Sequence, residues 1–312
     1  MTPSSHASTP SPTSSSGRTV LIAGASGFIG GELVRQLRDS GHRVVRLVRR
    51  PVAHEDERQW DPAAHEIPAA AIEEADAVVN LSGASLSRLP WTYRYKRQIL
   101  HSRLDATSTL AQAIAAAKSP PTVFVSGSAV GYYGDRPHEV LDEESSRGSG
   151  FLPRVVESWE GATRAADATT RVVHARTGLV LGDGGALAPL QLLARLGLAG
   201  PLGDGRQVWP WISLHDEAAA IRHLLFDSTL RGPVNLVGPN PASAGEIAQL
   251  TAHRLGRPYW LPAPRWAIIA GLADAGRGLL LADQRIRPSR LLDDGFEFRE
   301  PTAEKAIVSG LT

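Results

Sequence analysis

The densest collection of chemistry-bearing side chains is Ser126-Gly127-Ser128-Ala129-Val130-Gly131-Tyr132-Tyr133-Gly134, directly after the apolar run Val123-Phe124-Val125. Hydroxyls and phenols donate, accept and relay protons. Placed among glycines at a strand's end, they would stand over a crevice where a ligand binds. Tyr132 and Tyr133 read equally well as packing for a turn. Arg103 is the second candidate. It shares one helical face with Thr107, Leu110 and Ile114, so its charge is either buried and in need of a partner or ligand, or lifted to solvent at the core's rim. Lysine is scarce, at Lys96, Lys118 and Lys305 only, which limits where a catalytic lysine could stand. Gln207, Trp209 and Trp211 are read as substrate-side residues, because an indole offers flat area plus one donor; a core or interface role competes for each.

The elements that position these groups begin with Thr19-Val20-Leu21-Ile22-Ala23, a short β-branched run that reads as a buried strand. Gly24-Ala25-Ser26-Gly27-Phe28-Ile29-Gly30 follows and opens a helix over Gly31–Asp39, with Gly41 as its stop. A strand, a glycine turn and a helix start aim unpaired N–H groups and a positive helix end at an anion, which makes a dinucleotide site the working hypothesis. His42–Val48 reads as the second strand and ends in Arg49-Arg50. An acid at that place selects NAD; two arginines and no acid favour NADP. Ala77–Leu81 is a third strand, running into the small turn Ser82-Gly83-Ala84.

Helical patterns then cover Trp91–Ala117, Leu152–Ala166, Ala186–Leu196, Glu217–Phe226, Ser243–Leu255 and Arg265–Leu281, with strands at Arg171–Ala175 and Val234–Val237. Glu55–Ile72 reads as irregular, and Pro288–Phe298 as a short helix and a strand. Ser213 and Ser243 have the look of helix caps. Repeated strand–helix units followed by a looser segment predict an α/β fold with a doubly wound parallel sheet and a smaller C-terminal substrate-binding part. The expected division is a disordered Ser/Thr/Pro-rich tail at 1–17, a mainly dinucleotide-binding domain at 18–182 and a mainly substrate-binding part at 183–312, from which some strands return to the sheet.

Length, 312 residues, suffices for a sizeable core. A formal net charge of +1 gives no global field toward nucleic acid or an anionic membrane, so a small-molecule partner is expected and neither of those is. There is no cysteine, which excludes disulfides and thiolate chemistry. No apolar stretch reaches the ~18 residues of a membrane span, and residues 1–17 lack the features of a secretory signal. A cytoplasmic protein is the expectation. The histidines show no metal-ligand spacing, and no metal is expected.

With these residues in hand, the chain resembles the extended short-chain dehydrogenase/reductase superfamily, and within it the atypical epimerase family of NADP-binding oxidoreductases. The motifs that carry the resemblance are Gly24–Gly30, Asn80–Gly83, Lys96 with Ser102-Arg103 and Thr107, Ser128–Gly134, Trp159-Glu160, Arg176 with Gly178, and Trp211-Ile212 with Asp216. Gln284, Pro288, Leu292, Gly295-Phe296 and Phe298 match that family's C-terminal segment. The resemblance implies a Rossmann-like sheet, with Gly24, Ser26, Gly27, Phe28, Ile29 and Gly30 on the pyrophosphate and Arg49 with Arg50 on the 2′-phosphate. Leu81, Ser82 and Gly83 would pass the adenine ribose and bridging groups. Arg103 joins the cofactor set, Ser126 would sit beside the nicotinamide, and Ser128 would take the place of the catalytic serine.

The superfamily's usual Tyr-x-x-x-Lys acid/base is missing. Counting back from Glu160, Leu152 and Val156 occupy its places. Two function classes follow. In an oxidoreductase or epimerase-like enzyme, Ser128 would polarise a carbonyl, Tyr132 or Tyr133 would take over proton transfer, and Lys96, Arg103 or Arg176 would tune that tyrosine or hold an anionic substrate. The alternative is an NADP(H)-binding sensor without turnover. The crowd of polar residues favours the enzyme; the absent dyad favours the sensor.

Overall fold

The computed structural model describes residues 17–311; the tail read as disordered falls outside them except for Gly17. The first strands and helices are β1 (Thr19–Ala23), α1 (Phe28–Asp39), β2 (Arg43–Val48), β3 (Glu57–Gln59), α2 (Ala69–Glu73), β4 (Ala77–Asn80), α3 (Tyr93–Ala116), β5 (Val123–Ala129) and α4 (Phe151–Gly161). Two further strands, Arg171–Thr177 and Gly232–Leu236, complete a seven-stranded sheet. Across it the order is Gly232–Leu236, Arg171–Thr177, β5, β4, β1, β2, β3, and every pair is parallel. This is the doubly wound, Rossmann-like sheet that the strand–helix alternation predicts.

Such a sheet is buried on both faces, so its central strands β1 and β4 are almost wholly apolar. Val20 and Ile22 of β1 join Leu33, Val34 and Leu37 of α1 in one core layer. Leu21 and Ala23, pointing the opposite way, join Ala106, Leu110 and Ile114 of α3 in the other. The chain leaves β1 for β2 on one side and later returns to β4 on the other, which opens a crevice at the carboxyl ends of β1 and β4.

The remainder holds α5 (Ala188–Arg195), α6 (Leu214–Phe226), α7 (Ala244–Arg254), α8 (Arg265–Ala275), α9 (Ser289–Asp293) and α10 (Ala303–Gly310). The serine caps are real. Ser213 Oγ accepts from the Asp216 N–H at 3.0 Å, and Ser243 Oγ from the Glu246 N–H at 3.1 Å. A separate core of Leu187, Trp209, Trp211, Ile247, Ile307 and their neighbours joins α7, α8 and α10, whereas Ile221 and Leu224 of α6 and Leu291 of α9 pack into the core of the sheet.

Three expectations need correcting. Glu55–Ile72 is not wholly irregular, because β3 and α2 lie within it. The strand carries no apolar side chain and is anchored instead by buried Glu57, which pairs with Arg46 and Arg50 of the neighbouring segment. The helix expected over Arg265–Leu281 breaks at Ala273, whose φ is 47° and ψ −121°, and continues as a single wide turn at Gly276–Leu280. The strand expected before Phe298 is absent among the described residues; the last element is α10.

Candidate active site

The crevice is lined first by glycines whose missing side chains are a steric requirement. Gly24 has a φ of +86°, and a Cβ there would lie 2.8 Å from the Leu81 carbonyl carbon. A Cβ on Gly30 would lie 2.2 Å from the Gly24 oxygen. The loops after β1 and β4 are thereby in direct contact. Gly27 precedes α1, whose first turn carries no acid, so its unpaired N–H groups present an unopposed positive end. Ser26 and Gly27 are exposed, while Phe28 and Ile29 are half-buried. The Phe28 ring is covered by Gly182 and Gly185, where a Cβ would approach it to 2.8 and 2.6 Å. A diphosphate fits this cradle.

The two arginines after β2 differ. Arg50 binds Glu57 through both terminal nitrogens, at 2.9 and 2.7 Å. That hydrogen bonding, with the Ala53 N–H, brings the Glu57 carboxyl down to about 2. Arg49 is exposed and makes no side-chain hydrogen bond or ion pair among the described residues, which leaves it as the available guanidinium.

Arg103 resolves on the buried side of its two readings. It is 9% exposed, and its Nη1 donates to the Ala84 and Ile99 carbonyls at 3.1 and 3.0 Å. Its guanidinium lies 4.9 Å from the Trp159 ring centre and against Gly83, where a Cβ would sit 3.2 Å from Cζ. Burial pulls its pKa down to about 10, and no carboxylate pairs with it among the described residues. A cation is therefore held under the Leu81–Gly83 turn without a counter-ion. Ser82 donates its N–H to Asn80 Oδ1 at 3.0 Å, Asn80 donates to Thr107 Oγ1 at 2.9 Å, and Trp159 Nε1 donates to the same hydroxyl at 2.9 Å. This buried chain braces the turn.

A second network runs from Ser128. Its Oγ donates to Glu160 Oε1 at 2.6 Å, and Arg176 grips both Glu160 oxygens at 2.8 and 2.9 Å. Burial pushes the Glu160 carboxyl up, but the hydrogen bonds and charge of Arg176 outweigh it and hold the group below its ordinary value. Arg176 Nη1 donates to the Tyr133 hydroxyl at 2.9 Å, and that hydroxyl donates to Asn235 Oδ1 at 2.7 Å. Tyr133 is fully buried, and burial pushes it up to about 12. Tyr132 is half-buried, with its ring centre 3.7 Å from the Arg176 guanidinium carbon. Ser126 is buried, with its Oγ donating to the Gly127 carbonyl at 3.2 Å.

Other expected site residues are engaged elsewhere. Lys96 pairs with Asp274 of α8. Gln207 is buried and donates to the Leu202 and Leu280 carbonyls at 3.1 and 2.8 Å. Trp209 donates to the same Leu280 carbonyl at 3.2 Å, and Trp211 to that of Asn240 at 2.9 Å. Both indoles are buried, and their donors are satisfied within the protein. Arg176, 3% exposed, faces Glu160. Leu152 and Val156, in the places of the absent dyad, are packed; Leu152 lies beneath Gly278, where a Cβ would come within 3.2 Å of it.

Comparison with known proteins agrees with the fold. The sequence profile of the NAD dependent epimerase/dehydratase family matches residues 20–236. The chain belongs to that family. Residues 263–309, which hold α8, α9 and most of α10, match a domain of unknown function, DUF1731. Among epimerase family relatives, one from Mycobacterium leprae is 39% identical over 290 residues, covering 92% of this chain and 94% of its own. The human epimerase family protein SDR39U1, solved with NADPH, superposes with a TM-score of 0.86 at 35% identity, over 94% of this chain and 98% of its own. A nucleoside-diphosphate sugar epimerase from Corynebacterium glutamicum superposes with a TM-score of 0.78 at 34% identity; it is a longer protein, of which this chain spans 58%.

Asn80, Thr107, Trp159, Glu160 and Asn235 have structural roles at the site that spacing alone does not assign. Asn80, Thr107, Trp159 and Glu160 lie in motifs that carry the family resemblance, without a role attached; Asn235 has no such signal. Glu160 reaches Ser128 from α4 and Asn235 reaches Tyr133 from the edge strand, contacts that only the folded chain makes.

Proposed function

We propose that this chain is an NADPH-dependent oxidoreductase or epimerase-like enzyme acting on a small molecule that bears a hydroxyl or carbonyl. The observation that carries the reading is the Ser128–Glu160–Arg176 arrangement, set at the end of the strand beside the nucleotide cradle. NADPH, when bound, supplies the reducing equivalents. Gly24, Gly27 and the start of α1 would hold its diphosphate, Arg49 would be the guanidinium for its 2′-phosphate, and Arg103 would brace the Leu81–Gly83 turn that receives its ribose. The human relative solved with NADPH supports the cofactor assignment.

Ser128 has one proton, directed at an ionised carboxylate 2.6 Å away. Its lone pairs are then free to accept. Ser128 Oγ can therefore accept a hydrogen bond from a substrate hydroxyl and orient it, while Glu160, held ionised by Arg176, fixes the direction of the Ser128 proton and leaves proton exchange with the substrate to another group. This differs from the polarising role expected of Ser128, which needs the proton turned away from Glu160. Of the two tyrosines, Tyr132 is the one suited to exchange protons with a substrate. Tyr133, buried and held by Arg176 and Asn235, acts as a strut.

Fluorescence titration with NADPH and NADH tests the cofactor: NADPH is expected to bind more tightly and Arg49→Asp to narrow the gap, while equal wild-type affinities overturn the assignment. A panel of small aldehydes and ketones tests catalysis, with Ser128→Ala expected to abolish NADPH oxidation and leave NADPH affinity nearly intact. One observation favours a sensor instead, namely the packing of Leu152 and Val156 where the dyad would stand. Tight NADPH binding without turnover of any panel member would select that second reading.

A further inference from the structure

The C-terminal part carries an exposed face of unusual chemistry. Leu192 on α5, Leu196 at its C-cap, Leu198 after it, Trp260, Leu261, and Trp266 at the start of α8 are 59, 62, 44, 64, 40 and 73% exposed. Backbone pairing makes the first of these segments contiguous. The Trp260 and Leu261 N–H groups both donate to the Ala199 carbonyl, at 2.9 and 3.1 Å, and Trp260 Nε1 donates to the Gly197 carbonyl at 3.0 Å. Trp266 follows within a few residues. Scattered apolar side chains are normal on a surface; a cluster of leucines with two outward indoles is not.

Charge is equally one-sided. The stretches 186–203 and 247–273 contain Arg195, Arg254, Arg257 and Arg265 and no aspartate or glutamate; Asp204, Glu246 and Asp274 stand just outside them. All four arginines are exposed, and none forms an ion pair among the described residues. The net charge of +1 averages this asymmetry away. Between α5 and the Leu261 segment lies a cavity of about 230 Å³, lined by Leu190, Leu193, Leu198, Leu202, Leu261 and Pro262 among others. An apolar cavity of ~150 Å³ is already large enough for a benzene ring.

We propose that this face is a peripheral docking site for an anionic lipid surface. Exposed indoles and leucines enter the interfacial layer, arginines meet lipid headgroups, and the cavity receives an apolar chain end. A second copy of the chain is disfavoured, since two such faces would bring eight unpaired arginines together. The segment 1–16 is not the cover either, for apart from prolines its only apolar residues are Met1 and Ala7.

The test is flotation of the full chain with vesicles of phosphatidylcholine alone or mixed with phosphatidylglycerol, at low and high salt. The chain is expected to float with the mixed vesicles only, and salt should release it. Arg254→Glu/Arg257→Glu should weaken partitioning by at least tenfold, from about fivefold per arginine lost, and Trp260→Ala/Trp266→Ala should abolish it. Arg231→Glu, at the far end of the sheet, should float like the parent, and all variants should keep the parent's melting temperature. Failure of the parent to float at low salt overturns the proposal. So does flotation unchanged by both double variants, or a dimer in light scattering that Trp260→Ala/Trp266→Ala converts to monomer.

Discussion

Glu217 sits at the start of α6 with no solvent exposure. Its Oε1 accepts from Thr177 Oγ1 at 2.6 Å, and its Oε2 has no partner. Burial pushes its carboxyl up to about 8, so the folded chain keeps a proton that the unfolded chain releases near its ordinary value of 4.5. Stability should therefore fall as pH rises from about 4.5 to about 8 and then level off. Glu217→Gln removes the titration. Denaturant melts should find the variant more stable by ~2–4 kcal/mol near pH 9 and little changed near pH 5. At Glu160 the opposite holds, because its charge is matched. Glu160→Gln strands the Arg176 guanidinium, which is 3% exposed, and urea unfolding should report a loss of ~3 kcal/mol. Neither carboxylate's role was legible in sequence. Glu217 reads as one more acid in a helix's first turn, and Glu160 lies 32 positions from the Ser128 hydroxyl it accepts from.

At the scale of elements, local chemistry was legible wherever a short motif dictates its own geometry. The buried run of β1, the glycine turn, and the serine caps of α6 and α7 all form from residues adjacent in sequence. What failed were elements decided by distant partners. Edge strand β3 owes its place to ion pairs with Arg46 and Arg50. The break in α8 bends the segment onto α4, where Gly278 covers Leu152. That contact carries a prediction about the missing dyad: Leu152→Tyr/Val156→Lys should not simply reinstate it. The larger ring meets the Gly278 backbone, and thermal unfolding should register a cost of ~1–3 kcal/mol from overpacking.

For the whole molecule, the doubly wound parallel sheet follows from alternating strands and helices, so the fold class was readable without any tertiary information, whereas the strand order was not. The substrate side was not. Gln207, Trp209 and Trp211 have site-like side chains, yet each uses its donor on a carbonyl of the C-terminal part, and only the folded chain distinguishes a core indole from a ligand-facing one. Because the cradle exists only when the loops after β1 and β4 touch, NADPH, on the proposed reading, would bind the folded state alone. Its addition at about a hundred times Kd should stabilise the chain by ~2.7 kcal/mol, seen as a rise in melting temperature.

Gln284 Nε2 donates to the Val130 and Gly134 carbonyls, at 3.2 and 2.8 Å, and the Asp283 N–H donates to Asp135 Oδ1 at 2.9 Å. The loop that carries Tyr132 is thus tied by residues translated about 150 positions later. On a ribosome, the sheet strands can pair as they emerge, but the serine–tyrosine loop must wait for almost the entire chain. The candidate site is then finished long after its own strand, and a chain stalled before Gln284 would hold all seven strands of the sheet around an unbraced serine–tyrosine loop.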